Sequence, residues 1–549
     1  MSNGFRVLIA WVITPPLLVG AYWLFWAVVA PGFGRQNGVE AWWYNVFLHG
    51  NGLWWFLAYV FAGLAVYFGY VYYEVWFLTG LCVLLMIGSL GVAGYFLVNL
   101  DKNEGRFYTG ATTFYVHDPE HVPSALHLLA DGGAKNTDGC AIKGRHDVYG
   151  CLRQGDLPSA GWDPRIGSLD GAGVALSRAT GDVQAVSLRT ETITYLNGKG
   201  DNGSWSGVLD GSGINVPLGG VAEWSGQGSA TQCTFTGDYG IDRAFGGSRR
   251  NSLPNLLKER FPLIAYSMGD VWGYCDGKEP IVVIPVTTPI PWTHRTVDAP
   301  AGVITVRGDH GRVRLDYLRD VAPGTLPGPV YPKSIAAHQR TETKWAAGRE
   351  YMNRNHFGFD PAHSGAQSGN VSEYLLRDKS TGRLQWVTPM TLRGSTSELF
   401  VAYAIIPADE VHRGSLNAQS VYALDDSDPR RINIDNLDAD ARSWLAANAG
   451  TVMSNGGKLV EFTPIDGDTW RGFVEFNGRV AYRIDIAASR KTPVQLVRLD
   501  DTGDTGPPAP SGPPNADCGK ALASLTPAQL AQCAKVFVDE LANRQPAPR

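Results

Sequence analysis

Residues 53–73, LWWFLAYVFAGLAVYFGYVYY, and residues 75–100, VWFLTGLCVLLMIGSLGVAGYFLVNL, are separated only by Glu74. A helix that crosses a bilayer needs about 20 apolar residues, and neither run is interrupted by Asp, Glu, Lys or Arg. Together they predict a tight helical hairpin. Residues 7–33 satisfy the same criterion, so three transmembrane helices are expected, at about 7–33, 53–73 and 75–100. Trp42, Trp43, Trp54, Trp55, Tyr70, Tyr72, Tyr73 and Trp76 crowd the segment ends, as interfacial belts do. Ala27 and Ala30 give the first segment the small-residue end of a signal peptide. Its length and the two spans behind it instead predict a retained helix.

Ionisable side chains inside a membrane usually mark ion or proton paths. Here His49 and Glu74 sit at the edges and the spans carry no charge, which argues against a pump, an ion-coupled transporter or a voltage sensor. Pro15 and Pro16 predict a kink in the first helix. Gly88, Gly91 and Gly94 form a strip for close helix packing in the third. Residues 1–100 therefore read as an anchor in the lipid bilayer.

Beyond residue 100 the chain turns polar and Gly-rich. The length of 549 residues exceeds what one hydrophobic core serves, so several domains are expected. A net charge of −5 with no Lys/Arg cluster argues against nucleic acid as a partner. Of the 7 cysteines, Cys82 lies in an apolar helix, while Cys140, Cys151, Cys233, Cys275, Cys518 and Cys533 all follow the anchor. An even set on one side of a membrane reads as disulfides in an oxidising compartment; the alternative is six buried thiols in a cytosolic domain. No C-x-x-C occurs, which removes the usual support for zinc-ribbon or thioredoxin-like readings. The favoured pairing is sequential, Cys140–Cys151, Cys233–Cys275 and Cys518–Cys533, because each pair stays within a local unit. Arg6 and the amino terminus bias the first flank positively, whereas Arg35 and Glu40 cancel in the next loop. These features predict a multi-pass cell-membrane protein with a cytoplasmic N-terminus and an extracytoplasmic C-terminal region.

That region is expected to be β-rich and α+β, mostly antiparallel sheet with a few helices. Residues 101–328 read as a β-rich domain. Strands are expected at 183–195 and 281–288, and a hairpin at 302–318 turning at Gly308-Asp309-His310-Gly311. The Gly/Ser/Asn-rich stretch 197–228 reads as loops or edge ribbons more than core. Residues 329–500 read as an α+β domain. Its first helix is capped by Ser334 and runs to about residue 353, and a second spans 438–448. Strands are expected at 373–377, 384–389, 399–406, 420–424, 458–463, 469–476, 479–486 and 494–499. Residues 501–517 contain GPPAPSGPP and read as a linker. Residues 518–549 read as a small helical module, stapled by its two cysteines, that either docks a partner or is a bare appendage.

Chemical motifs are sparse. His117-Asp118-Pro119-Glu120-His121, with His127 following, offers imidazoles and carboxylates to a metal, and His117 and His121 are the candidate ligands. This is not H-E-x-x-H, and Pro119 and Pro123 disfavour one helix carrying the ligands, so a solvated loop is the preferred reading. Neither a G-x-S-x-G elbow nor a Walker A loop is present. His310, His338, His356 and His363 are scattered, and the densest neighbourhood is Asn355-His356-Phe357-Gly358-Phe359-Asp360. The G-x-G-x-x-G at residues 198–203, with no helix to follow, and the Arg307-Gly308-Asp309 tripeptide are read as chance matches. Asn202 and Asn370 head glycosylation sequons. No cofactor and no catalytic residue is predicted. The expected function is a non-enzymatic structural or protein-binding subunit of a membrane assembly in a bacterial-type cell envelope, binding other envelope proteins or itself. The alternative is an envelope hydrolase or metal-dependent enzyme with a site built from dispersed residues.

Overall fold

The computed structural model describes residues 52–71, 76–131 and 151–498 with short interruptions, together with Trp11, Ile13, Leu17, Leu18, Gly20 and Ala21. Two helices among these residues, α1 (Gly52–Val71) and α2 (Trp76–Val98), are long and apolar enough to cross a membrane, not the expected three. Of segment 7–33 only the six residues just named are described, all helical, and the rest lies outside the described residues. The indole of Trp11 stacks on Tyr59 at 4.6 Å and donates to the Tyr59 carbonyl at 2.9 Å. Trp76, Phe77, Leu84 and Tyr95 are exposed, as side chains facing lipid would be.

After one intervening residue comes α3 (Leu100–Thr109), then β1 (Thr112–Val116), α4 (His127–Asp131), β2 (Cys151–Gln154), β3 (Trp162–Asp163) and α5 (Leu169–Ala179). The chain continues through β4 (Val186–Leu188), β5 (Thr194–Leu196), β6 (Ser204–Gly211), β7 (Gly220–Trp224), β8 (Thr231–Thr234) and α6 (Leu253–Arg260). Next are β9 (Trp272–Asp276), β10 (Glu279–Trp292), β11 (Arg295–Asp309), β12 (Arg312–Leu318) and α7 (Lys333–Glu342). They are followed by β13 (Phe359–Pro361), β14 (Tyr374–Asp378), β15 (Leu384–Leu392), β16 (Ala402–Pro407) and β17 (Gln419–Ala423). The last elements are α8 (Ile434–Asn448), α9 (Gly450–Ser454), β18 (Lys458–Pro464), β19 (Thr469–Phe476), β20 (Arg479–Ala487) and β21 (Gln495–Arg498).

Four sheets result. The largest has eight strands in the order β2-β1-β17-β16-β15-β14-β3, with β13 beside β15. β1 runs parallel to both β2 and β17, and the other pairs are antiparallel. This sheet takes strands from both sides of the Pro/Gly-rich stretch 323–329, so residues 101–328 and 329–500 share it. β4-β6-β7-β8, with β5 on β6, make a five-stranded sheet; β12-β11-β10-β9 and β18-β19-β20-β21 make four-stranded ones. Residues 1–496 form one compact unit. The expected linker 501–517 and the module 518–549, with Cys518 and Cys533, lie outside the described residues, as do His363, Asn202 and Asn370.

The glycine-rich stretch read as loops is core instead. Within β6 and β7, Trp205, Val208, Leu209, Val221 and Ala222 are buried. Glycine there permits close approach rather than looseness: a Cβ on Gly220, whose φ is +154°, would sit 2.1 Å from the Cys233 carbonyl oxygen. The other correction concerns α7, which starts after Pro332 and gives way at Thr343 to a 3-10 turn ending at Trp345. Ser334 is inside the helix rather than capping it; the side chain at the N-terminus is Asp270, from a distant turn. Its carboxylate accepts from the Ser334 N–H at 3.0 Å and hydroxyl at 2.6 Å.

Cys233 of β8 and Cys275 of β9 form the predicted disulfide, with Cα atoms 5.9 Å apart, joining the five-stranded sheet to a four-stranded one. Closing a loop of this length removes about 4 kcal/mol of unfolded-chain entropy. Cys151 is also disulfide-bonded, and its expected partner Cys140 lies outside the described residues.

Candidate functional site

The sequence pointed to the histidines of residues 117–127. His117 Nδ1 lies 2.7 Å from Asp156 Oδ1, and His121 Nδ1 lies 2.6 Å from Asp118 Oδ2. His127 instead lies beside the Ser124 carbonyl. All three imidazoles are exposed and each has its own partner. Among the described residues, no three His, Cys, Asp or Glu side chains converge to hold a metal ion. The hydrogen bond to Asp156 raises the His117 pKa, and the one from His121 lowers that of Asp118. His356 has a left-handed backbone (φ +50°), while the flanking Phe357 and Phe359 enter the core. Arg307 pairs with Glu279 across the sheet at 3.1 Å.

A different constellation is assembled inside the domain that follows α3. A cavity of about 460 Å³ opens where the five-stranded sheet, β9, β14, β15 and the N-terminus of α7 meet. Aromatic rings build much of its wall: Tyr195 from β5, Trp205 from β6, Trp272 from β9 and Trp386 from β15. The indole N–H groups of Trp272 and Trp386 are spent on the carbonyls of Pro329 (2.7 Å) and Tyr331 (3.3 Å), so both rings offer the cavity only apolar surface.

Arg165, Lys333 and Glu373 line that apolar wall, with Glu461 and Arg340 paired to them from behind. Arg165 and Glu461 are both buried, with Nη1 2.9 Å from Oε1, and the guanidinium also donates to the Leu375 carbonyl at 3.1 Å. The same guanidinium sits 5.2 Å from the Trp205 ring centroid. Glu461 reaches Arg165 from a bulge in β18, where the register shifts and its own φ is +44°. Burial pushes the Glu461 carboxyl upward against the pull of Arg165 and the Leu169 N–H.

Lys333 and Arg340, seven residues apart, share a face of α7 and both pair with Glu373, which immediately precedes β14. Arg340 is wholly buried, and burial pushes its pKa down to about 9. Its Nε and Nη1 have no hydrogen-bond partner. Lys333 lines the cavity with 37 % of its side chain accessible, and its Nζ stands 3.6 Å from Glu373 Oε2. Burial, then Arg340, lower its pKa while Asp270 opposes. The lining carboxylates are all engaged: Asp270 by Ser334, Glu373 by Arg340 and Lys333, and Glu191 by Arg189 at 3.5 Å.

The other end of α7 holds the junction to the apolar hairpin. His338 Nε2 lies 3.9 Å from Glu104 Oε2 of α3, and its ring meets Tyr108 edge-on at 4.6 Å. The Tyr108 hydroxyl donates to the Asp298 carbonyl at 2.8 Å and that of Thr109 to the Glu342 carbonyl at 2.6 Å. Gly105 is pressed so closely on Trp345 that a Cβ would fall 2.1 Å from its ring. Sequence reasoning missed both ends of α7. Lys333, Arg340, Glu373 and Glu461 form no local motif, and the one available signal was the seven-residue spacing of two cations on an otherwise buried helix face. Comparison with known protein families, characterised proteins and solved structures finds no match for this chain.

Proposed function

We propose that this chain is a multi-pass, membrane-anchored protein of the cell envelope. Its large extracytoplasmic domain serves as a non-enzymatic, protein-binding subunit of a membrane assembly. The observation that carries this reading is the junction. α2 runs into α3 after a single residue, and α3 is gripped by Asp298, His338, Glu342 and Trp345 from inside the domain. A domain fixed in this way is held at a set height and orientation above the bilayer, which suits a component that must present a surface to neighbours. The Cys233–Cys275 bond fits an oxidising compartment.

An envelope enzyme with dispersed residues is the second reading, favoured by the cavity. Against it stands the engagement of each lining carboxylate in an ion pair or a helix cap, since a general base needs a free lone pair near its substrate. The test is cross-linking and affinity purification from native membranes, with protease accessibility of both termini. Reproducible recovery with other envelope proteins or with further copies of itself supports the proposal. A chain always recovered alone and monomeric, or a C-terminus reached only from the cytosol, overturns it.

A further inference from the structure

We propose that the cavity beside α7 is a binding site for a small organic acid, whose carboxylate meets the Lys333 ammonium and whose aromatic body packs against Trp272 and Trp386. This goes beyond the anchoring reading and does not depend on it, because the whole lining lies in one compact unit.

The inference starts from what the walls leave unused. A volume of about 460 Å³ suits a molecule with a ring system rather than a lone inorganic anion. The two tryptophans have already spent their donors on backbone carbonyls, so they select apolar surface. The lining carboxylates are occupied, so they do not call for a cationic ligand. Lys333 is different. Its ammonium has three donors, and its carboxylate partner is 3.6 Å away, beyond ordinary hydrogen-bond length. Glu373 cannot serve it better, because it is also claimed by the buried Arg340. Arg340 and Arg165 both act on Lys333 from nearby, and Asp270 opposes them only in part. A ligand carboxylate is the group that would satisfy those donors and offset the crowding of cations. A neutral acceptor would do the first but not the second.

The test uses the full-length chain in a neutral detergent. Indole-3-acetate and phenylacetate are the probes, followed by calorimetry and saturation-transfer NMR. Saturable one-to-one binding of either acid is expected, with the matching amide weaker by at least about tenfold, because a hydrogen bond to a charged group is worth more than one to a neutral group. K333Q should weaken binding by a similar factor. Ala337→Phe, which places a ring in the cavity from the partly exposed face of α7, should abolish it while leaving the thermal midpoint close to that of the parent. Absence of saturable binding by both acids, equal affinity for acid and amide, or undiminished binding in a folded K333Q protein would each overturn the proposal. If K333Q fails to fold, the acid-against-amide comparison on the parent chain decides by itself.

Discussion

The turn at residues 117–121 and the wall of the cavity both gather histidine, carboxylate or cationic groups, yet water treats them differently. In the turn, His117 and Asp156 are 67 % and 70 % accessible, so their attraction is screened and either partner could leave without stranding the other. At the cavity, Arg165 in the wall and Glu461 behind it are 6 % and 1 % accessible, so water cannot replace either charge for the other. The lesson is that density of charged residues along a sequence is a poor guide to where charge matters. The cavity cluster is spread from residue 165 to residue 461 and is the more consequential of the two.

The sharpest way to break this contrast is to remove half of the buried pair. Arg165→Met leaves Glu461 buried and unpaired, and should cost about 3–5 kcal/mol in denaturant unfolding. Adding Glu461→Leu should recover most of that loss, because two apolar groups replace two desolvated charges. A single variant that loses less than about 1 kcal/mol would place the pair with surface bridges. Next in size is Asp270→Ala, which uncaps α7 and should cost about 1–2 kcal/mol. Faster hydrogen exchange at the Ser334 amide would locate the loss at the helix start.

The effect of pH is smaller. His117 has a raised pKa, so its stabilising contribution is complete below the ordinary histidine value and is lost as the pH rises through the raised one. Asp270 is raised mainly by burial, so its charged form penalises the fold, and the penalty lifts as the pH falls through the raised value. The exposed His117 pair is screened by water, so it is the Asp270 sign that predicts a thermal midpoint climbing on mild acidification from neutrality. The smallest effect belongs to Asp156→Asn: the His117 titration followed by NMR should return to the ordinary histidine range, with no measurable change in unfolding.

Much of the sheet structure was legible from residue order. The hairpin of β11 and β12 turns at His310 and Gly311, both with positive φ, where the Gly-Asp-His-Gly run predicted it. β19 begins and ends at the expected residues, and β18 and β20 run one residue further. These elements depend on alternation and local turns, which neighbouring residues encode. The stretch 197–228 was misread because glycine signals a loop unless the partner backbone that presses on it is known, as Cys233 presses on Gly220. The cavity was illegible for a related reason. Its residues are brought together by three sheets and α7, and no window of sequence contains more than one corner of it. Orientation across the membrane belongs to the charge balance of short flanks, which the fold does not encode.

The parallel pairing of β1 with β17 sets an order of events during synthesis. Thr112 must wait for Gln419 before its strand has a neighbour on that side, and Thr109 must wait for Glu342 before its hydroxyl has an acceptor. By then the apolar hairpin has long left the ribosome. That edge of the domain therefore stays open while hundreds of later residues arrive, a period in which unpaired strand edges invite wrong partners. A chain built this way has reason to recruit a holding chaperone, and truncations ending before residue 419 should be the ones most readily degraded.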